Sequence, residues 1–129
     1  MTRKILPDKR NHITQKAKIG ANRTLYLSVD SDEAPNEVFL RVKGTEDAEK
    51  VVAYDVIARL ISLALQYHVP MSEIGDLLLD TRDNTAGAVR GDDKIKFCSG
   101  TFDYIGKHLL VYYGGRPDLC IQPPPPVVE

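Results

Sequence analysis

An apolar helical stretch that runs into Pro70 is the feature of this sequence that most constrains the fold. Large apolar residues recur there at helical spacing, which predicts an amphipathic helix from about Thr45 to about Tyr67. Proline suits the first turn of a helix, so Pro70 indicates the start of a second helix. We expect the apolar stripe to belong to the core and to lie on a sheet. Its members are Val52, Val56, Leu60, Leu63 and Tyr67, broadened by Ile57, Ile61 and Ala64.

Three segments upstream of this helix have the alternating pattern of strands. Residues 13–19, 23–29 and 37–42 place apolar side chains at every second position, although Gln15 weakens the first segment. Residues 30–36 supply the Asp, Ser, Pro and Asn that favour a turn. We therefore predict an antiparallel meander with one face open to solvent.

A third helix is predicted after a polar loop. Residues 81–93 carry almost no large apolar side chain and are predicted to form a loop, followed by a short strand at residues 94–98. Ser99 stands where an N-cap belongs, and Gly114 follows the last helical residue. Tyr112 is expected to face the core together with Phe102.

These elements predict an α+β fold, in which an antiparallel β-meander packs against two to three α-helices and the domain forms oligomers. A chain of 129 residues fits one domain. We assign residues 1–12 to a basic arm, residues 13–116 to a single domain and residues 117–129 to a Pro-rich flexible tail. A small domain with an exposed sheet face is expected to form a two-fold dimer by default.

Charge is unevenly distributed along the chain. Seventeen Lys and Arg against eighteen Asp and Glu give a net charge of -1, so the molecule lacks the overall basic field that a DNA partner needs. The amino-terminal end is different, and it is either a solvated arm without a partner or a segment that meets anions. Its cations, which face only Asp8, are Arg3, Lys4, Lys9, Arg10, Lys16, Lys18 and Arg23.

The histidines and cysteines predict neither a metal nor a cofactor. Cys98 and Cys120 lack CxxC spacing, and three scattered histidines do not make a zinc site. His68 is expected in a loop and His108 on a helix surface, because neither has an adjacent nucleophile. No apolar run is long enough to cross a bilayer, so we expect a cytoplasmic protein with reduced thiols and no membrane partner.

Catalytic motifs are missing from the sequence. It contains no GxSxG, HExxH or GxxxxGK[ST] pattern, and no GxGxxG follows a predicted strand. We therefore predict a binding protein rather than an enzyme, and a phosphodiesterase is the least favoured of the functions considered.

Anion binding is suggested at three places, each of which also has a plainer explanation. The loop with Arg82 and Arg90 offers guanidinium groups and glycines, but generic surface loops have the same composition. Ser99 and Thr101 at a helix start suit a phosphate, yet ordinary capping explains them equally well. Residues 112–116 combine tyrosines with Arg116 and suit a stacked base, but one core tyrosine and a solvated Arg116 are the plainer explanation.

From Lys4 to about Tyr113 the chain resembles the TSCPD domain, a small module found at the end of cobalamin-dependent ribonucleotide reductases. The acidic loop residues Asp83, Asp92 and Asp93 depart from the family pattern, and the cysteine-rich tail of the reductases is missing. The matching pieces occur in the family's order, and they are residues 4–10, Ile13-Thr14, residues 25–27, residues 35–40, residues 61–70, Thr81-Arg82, Gly87 and residues 99–105.

The resemblance implies a binding function. Stand-alone TSCPD-like proteins of this size resemble the phage Thoeris anti-defence sponges, which form dimers that can build hexamers. Those proteins hold cyclic ADP-ribose isomers and, in some members, cyclic di- or trinucleotides without cleaving them. For this chain the resemblance implies sequestration of such a ligand in the host cytoplasm, if it is phage-encoded.

Loop chemistry supplies the residues expected to hold that ligand. Arg82, Arg90 and Arg116 are expected to contact phosphate, together with Ser99 and Thr101 at the helix start. Asn84 and Thr85 are expected to contact base or ribose, and Tyr113 is expected to stack. The alternative function is a detached reductase segment that docks onto a large enzyme subunit through its sheet edge or its basic arm.

Overall fold

The computed structural model describes residues 2–121. Within them a five-stranded antiparallel sheet is combined with three α-helices, which confirms the predicted α+β class. The elements in chain order are β1 (His12–Ile19), β2 (Arg23–Asp30), β3 (Val38–Lys43), α1 (Ala48–Gln66), α2 (Met71–Leu78), β4 (Gly87–Arg90), β5 (Phe97–Cys98), α3 (Thr101–Tyr113) and a 3-10 helix (Pro117–Ile121).

The first three strands form the predicted meander. The strand order across the sheet is β3-β2-β1-β4-β5, and Leu25 of β2 pairs with Ala17 of β1 and Val42 of β3. These three residues are buried and form the sheet side of the core, together with Ile19, Leu27, Val29, Val38 and Leu40. The opposite face carries polar and charged side chains, as the alternation predicts.

The predicted loop at residues 81–93 contains a strand, β4, which the sequence analysis missed. Val89 pairs with Ile19 of β1 and is buried, whereas its neighbours Ala88 and Arg90 are exposed. A strand with one buried side chain has no repeat that a pattern search can detect, because alternation needs several apolar positions.

The predicted core stripe of α1 is wrong for most of its members: Ile61 is buried and Ile57 and Ala64 pack against the core, but the other five residues lie on the outer face of the helix. Val52 and Leu60 are both 59% exposed, and Val56 and Leu63 are also exposed. The helix lies beside β3, where Ser62 Oγ both accepts a hydrogen bond from Val38 N and donates one to Val38 O. Its buried residues are Tyr54, Ala58, Ile61, Leu65 and Gln66.

The helix ends differ by a residue or two from their predicted positions. The predicted helix starts at about Thr45, but the carboxylate of Asp47 caps α1 and accepts hydrogen bonds from the N–H groups of Glu49 and Lys50. Pro70 precedes α2 as expected, and Gly100 rather than Ser99 precedes α3. Helix α3 ends before Gly114, as predicted.

Helices α2 and α3 pack at very short range through two glycines. A Cβ at Gly106 would lie 2.9 Å from both the carbonyl oxygen of Gly75 and the Cβ of Leu78. This contact holds α2 across α3, which contributes Tyr104, Ile105, Leu109 and Leu110 to the centre of the core.

The two ends of the chain pack against the domain where they are described. The arm has no regular structure between residue 2 and His12, but Lys4 N donates to Gln66 O and Arg10 forms a two-pronged ion pair with Glu37. At the other end, Leu119 is buried in the 3-10 helix beside α3. The predicted flexible tail therefore does not start at residue 117, and residues 122–129 lie outside the described part.

Candidate functional site

The start of α3 is occupied by a carboxylate from the preceding loop. Asp83 Oδ2 accepts a hydrogen bond from Thr101 N at 3.2 Å, and Asp83 Oδ1 accepts from the N–H of Thr85 at 2.7 Å and from its hydroxyl. A Cβ at Gly100 would lie 2.7 Å from the carboxyl carbon of Asp83, so the close approach requires glycine there. The chain thus supplies its own anion to this helix end.

A small cavity lies beside this loop, between β2, α1 and α3. Its volume is about 200 Å³, and its wall includes Arg23, Lys50, Asn84, Thr85 and Phe102. An adjoining cavity of about 170 Å³ shares three of those lining residues. Two cations, a loop amide and an aromatic ring are therefore brought to one place.

Arg23 is the most unusual member of the cavity wall. Its Nη1 donates to the hydroxyl of Tyr54 at 3.3 Å, and its Nε is buried without a hydrogen-bond partner among residues 2–121. Tyr54 in turn stacks on Phe102, with ring centroids 4.9 Å apart. A buried, unpaired guanidinium N–H is costly, which makes this group suited to an incoming acceptor.

The structure brings together some of the predicted site residues and separates the others. Asn84 and Thr85 line the cavity, and the Thr85 hydroxyl is 2.8 Å from that of Thr101. Ser99 N donates to Asp103 Oδ2 at 2.8 Å, so its amide is already used. The remaining predicted residues, Arg82, Arg90, Tyr113 and Arg116, do not line the cavity.

Those four residues lie in different surroundings. Arg82 is exposed, and Arg90 lies on the outer face of the sheet with Nη2 donating to Gly20 O. Tyr113 is half-buried beside His108, and burial raises the pKa of its phenol. Arg116 is paired with Asp118 at 3.0 Å and with Asp76 at 3.8 Å.

Sequence reasoning missed Arg23 and Lys50 as cavity residues. A usable signal was available for Arg23, because it occupies the same alternate positions of β2 as the buried Leu25 and Leu27. Its side chain therefore falls on the helix-covered face of the sheet. Lys50 carries no such signal, since exposed lysines are common in the first turns of helices.

A second cluster of polar groups lies inside the domain, around Asp92. Its carboxylate is 1% exposed and accepts hydrogen bonds from the Tyr104 hydroxyl at 2.6 Å and the Tyr112 hydroxyl at 2.8 Å. His108, which was expected on the helix surface, is 4% exposed and places Nδ1 at 3.3 Å from this carboxylate. That expectation is wrong because α3 is covered on nearly all sides.

The hydrogen bonds around Asp92 determine its ionisation. Burial alone would raise its pKa, but bonds from His108, Tyr104 and two backbone amides outweigh burial and hold the pKa far below its usual range. Burial raises the pKa of Tyr104 and of Tyr112, and the adjacent carboxylate raises both further. The cluster therefore ties residue 92 firmly to α3 as an ionised anchor.

An exposed apolar surface runs along α1 and onto the neighbouring strand. We call it the α1 surface and define it by Phe39, Val52, Val56, Leu60 and Leu63. A groove of about 450 Å³ between β3 and α1 includes four of these residues, with Asp55 and Arg59 also in its wall. Since Val52 and Leu63 are eleven residues apart on α1, the exposed stripe is roughly 17 Å long.

Residues 2–121 contain no group of three metal-ligating side chains, and none of their helices is long and apolar enough to cross a membrane. Cys98 is buried, which raises the pKa of its thiol to about 11. A thiol in that state is a poor nucleophile.

Within residues 2–121, fold and surfaces together define a small α+β module with a cavity beside the start of α3 and an exposed apolar face on α1. The TSCPD domain model matches residues 1–113. The chain therefore belongs to the TSCPD domain family, as the sequence resemblance indicated.

In two similar proteins, the segment that matches this chain is a small part of a much longer protein. The chain is 34% identical over 119 residues to a vitamin B12-dependent ribonucleotide reductase of Bradyrhizobium diazoefficiens. It is 36% identical over 120 residues to the enzyme of the same name from Agrobacterium fabrum. Each match covers 92% of this chain and 9% of the relative. No solved structure matches the chain.

Proposed function

We propose that this chain is a non-catalytic docking module that binds a ribonucleotide reductase subunit through its α1 surface. The observation that carries the proposal is the exposure of Val52, Val56, Leu60 and Leu63 along one face of a helix. A contiguous apolar patch of this kind is typical of protein interaction sites. Removal of such a patch from water by a partner contributes favourable free energy to binding.

Similarity to the reductases supports the choice of partner. In both relatives the matching segment amounts to 9% of the protein, so it is joined to a large remainder. A surface that packs against that remainder would be left exposed in a separate copy of the segment. The same surface is then available to dock onto an intact reductase.

Binding to purified reductase tests this proposal. We expect an intact vitamin B12-dependent ribonucleotide reductase to bind the immobilised chain in an interferometry experiment, and Leu60→Glu to weaken binding at least tenfold. The substitution places a charge in the centre of the apolar contact, where desolvation is costly.

Leu77→Glu is the matched control, because Leu77 is 83% exposed on α2 and lies outside the α1 surface. It should bind like the unmodified chain. Equal loss in both variants, or no binding at all, would overturn the proposal. Sedimentation of the chain alone tests whether a second copy of the chain occupies the α1 surface instead. A dimer that Leu60→Glu dissociates would assign the surface to that second copy.

A second candidate function is sequestration of a cyclic nucleotide or a cyclic ADP-ribose isomer in the host cytoplasm. The cavity with Arg23, Lys50, Asn84 and Phe102 favours it, since cations and an aromatic ring suit phosphate and base. Each of the two adjoining cavities is smaller than the roughly 300 Å³ usual for such ligands. A second copy that completes the site would agree with the homo-oligomer expected from the family resemblance.

A panel of these nucleotides in a thermal-shift experiment tests the second candidate. We expect a stabilising ligand to be recovered intact by mass spectrometry after heat denaturation. Arg23→Gln should abolish the shift if the cavity holds the ligand, whereas Arg82, Arg90 and Arg116 changed together to Ala should do so if the sequence prediction is right. An altered ligand would indicate catalysis instead.

A further inference from the structure

The outer face of the sheet carries a concentrated set of cations. Because side chains alternate between faces, the outward positions in the paired parts of β1, β2 and β3 are residues 12, 14, 16 and 18, residues 24, 26, 28 and 30, and residues 39, 41 and 43. Asp30 is the one acidic residue among them, and it is buried at the end of β2, where its carboxylate accepts hydrogen bonds from the N–H groups of Asn36 and Glu37. We define the basic sheet face as Lys16, Lys18, Tyr26, Arg41, Lys43 and Arg90.

The strand register places these cations side by side. Lys16 and Arg41 flank Tyr26 in one row across three strands. Lys18 pairs with Arg90 of β4 on one side and with Thr24 of β2 on the other, and Lys43 of β3 lies beyond Thr24 in the same row. With strands about 4.8 Å apart, the array spans roughly 14 Å from β4 to β3.

Tyr26 forms the centre of the basic sheet face. Its ring is half-buried, with Lys43 Nζ at 5.5 Å and Lys16 Nζ at 5.8 Å from the ring centroid. The five cationic side chains are exposed and form no ion pair within residues 2–121. Like charges on neighbouring strands repel, so the array is stabilised by any anion that spans it.

We propose that the basic sheet face binds single-stranded nucleic acid, with phosphates on the Lys and Arg side chains and a base on Tyr26. A sheet with a central aromatic residue and surrounding cations offers both contacts that sequence-tolerant single-strand binding uses. A duplex keeps its base faces stacked inside and cannot use the ring. An acidic peptide would use the cations without needing Tyr26.

Segregation of charge makes this binding compatible with a net charge of -1. The carboxylates that balance these positive charges lie elsewhere in the molecule. Some pair with the arm, some are on α1 and α2, and some are inside the domain. The attraction is therefore local to one face and should fall steeply with salt. Five phosphate contacts on a single strand predict a log-log salt dependence with a slope on the order of −3.

Fluorescence anisotropy with a labelled oligothymidylate of about 12 nucleotides tests the proposal, with a labelled RNA of equal length as the second arm. We expect binding at roughly 50 mM salt and a large loss at roughly 200 mM. Lys16, Arg41 and Lys43 changed together to Gln should weaken binding at least tenfold. Lys9→Gln is the control, because Lys9 is an exposed lysine of the arm that lies outside this face.

Tyr26 distinguishes nucleic acid from other polyanions. Tyr26→Leu keeps apolar bulk without the aromatic ring and should weaken binding about tenfold, whereas Tyr26→Phe should bind normally. Matching urea midpoints would show that all variants are folded. No binding at low salt, or a triple Gln variant equal to the unmodified chain, would overturn the proposal. Normal binding by Tyr26→Leu, or equal competition by polyglutamate, would assign the face to an acidic protein instead.

Discussion

At the scale of single residues, Asp92 connects more parts of the domain than any sequence pattern indicated. Asp92 follows the last residue of β4, Arg90, by two positions. Its carboxylate accepts hydrogen bonds from the hydroxyls of Tyr104 and Tyr112 of α3. It also accepts from the backbone N–H groups of Lys94 and Ile95, so it folds its own loop. One buried carboxylate therefore fixes both the loop and the helix.

We predict that Asp92→Asn lowers the free energy of unfolding by about 2–4 kcal/mol, because an amide cannot replace a carboxylate that accepts this many bonds. Urea unfolding followed by circular dichroism measures the loss. Asp93→Asn provides the control, since the adjacent Asp93 is exposed and should change stability by less than about 0.5 kcal/mol. Equal urea midpoints for Asp92→Asn and Asp93→Asn would show that Asp92 does not stabilise the loop and the helix.

The ionisation of Asp92 makes a separate prediction about pH. Its folded-state pKa is depressed below the ordinary carboxyl value, so its contribution is fully present above about pH 5. That contribution declines as the pH falls below about 4 and approaches the folded-state pKa. Unfolding free energies of the unmodified chain and Asp92→Asn should therefore differ by a constant amount from pH 5 to 8 and converge in acid. A difference that grows in acid would contradict this assignment.

At the scale of elements, α1 has two apolar faces and buries only one of them. We predict that Leu65→Ala lowers the free energy of unfolding by about 2–4 kcal/mol, because Leu65 is 6% exposed in the core. Leu60→Ala is the matched comparison on the outer face and should cost less than about 0.5 kcal/mol. Thermal and urea unfolding measure both variants. A larger loss of stability for Leu60→Ala than for Leu65→Ala would mean that the predicted stripe does lie in the core.

The sequence predicted the existence of α1 but not its orientation. Helical spacing is satisfied equally by Val52, Val56 and Leu60 and by Ala58, Ile61 and Leu65. Periodicity identifies a helix, whereas the choice of buried face depends on where the sheet lies. Strands β1 to β3 were predicted well because each has one apolar and one polar face. The cavity was only partly foreseeable, since Arg23, Lys50 and Phe102 meet through the fold and not through any spacing.

At the scale of the whole molecule, charge segregation should outweigh net charge in adsorption. We predict that the chain is retained at pH 7 and low salt on a cation-exchange matrix, despite its net charge of -1, because one sheet face presents five cations together. Arg41→Gln combined with Lys43→Gln should elute at lower salt than the unmodified chain. Lys9→Gln combined with Lys50→Gln removes equal charge elsewhere and should shift elution less. Equal shifts would indicate that the cations do not act as one face.

Asp83 decides how readily the molecule binds free anions at the start of α3, because its own carboxylate already lies there. A group attached to the same chain acts at an effective concentration in the millimolar range or above, without needing to diffuse to its site. Inorganic phosphate at cellular levels must therefore displace a tethered competitor before it reaches these amides. Only an anion that also engages a second group, such as the guanidinium of Arg23, has the advantage needed to do so. For the proposed nucleotide ligand, this loop would therefore favour extended phosphorylated molecules over simple ions.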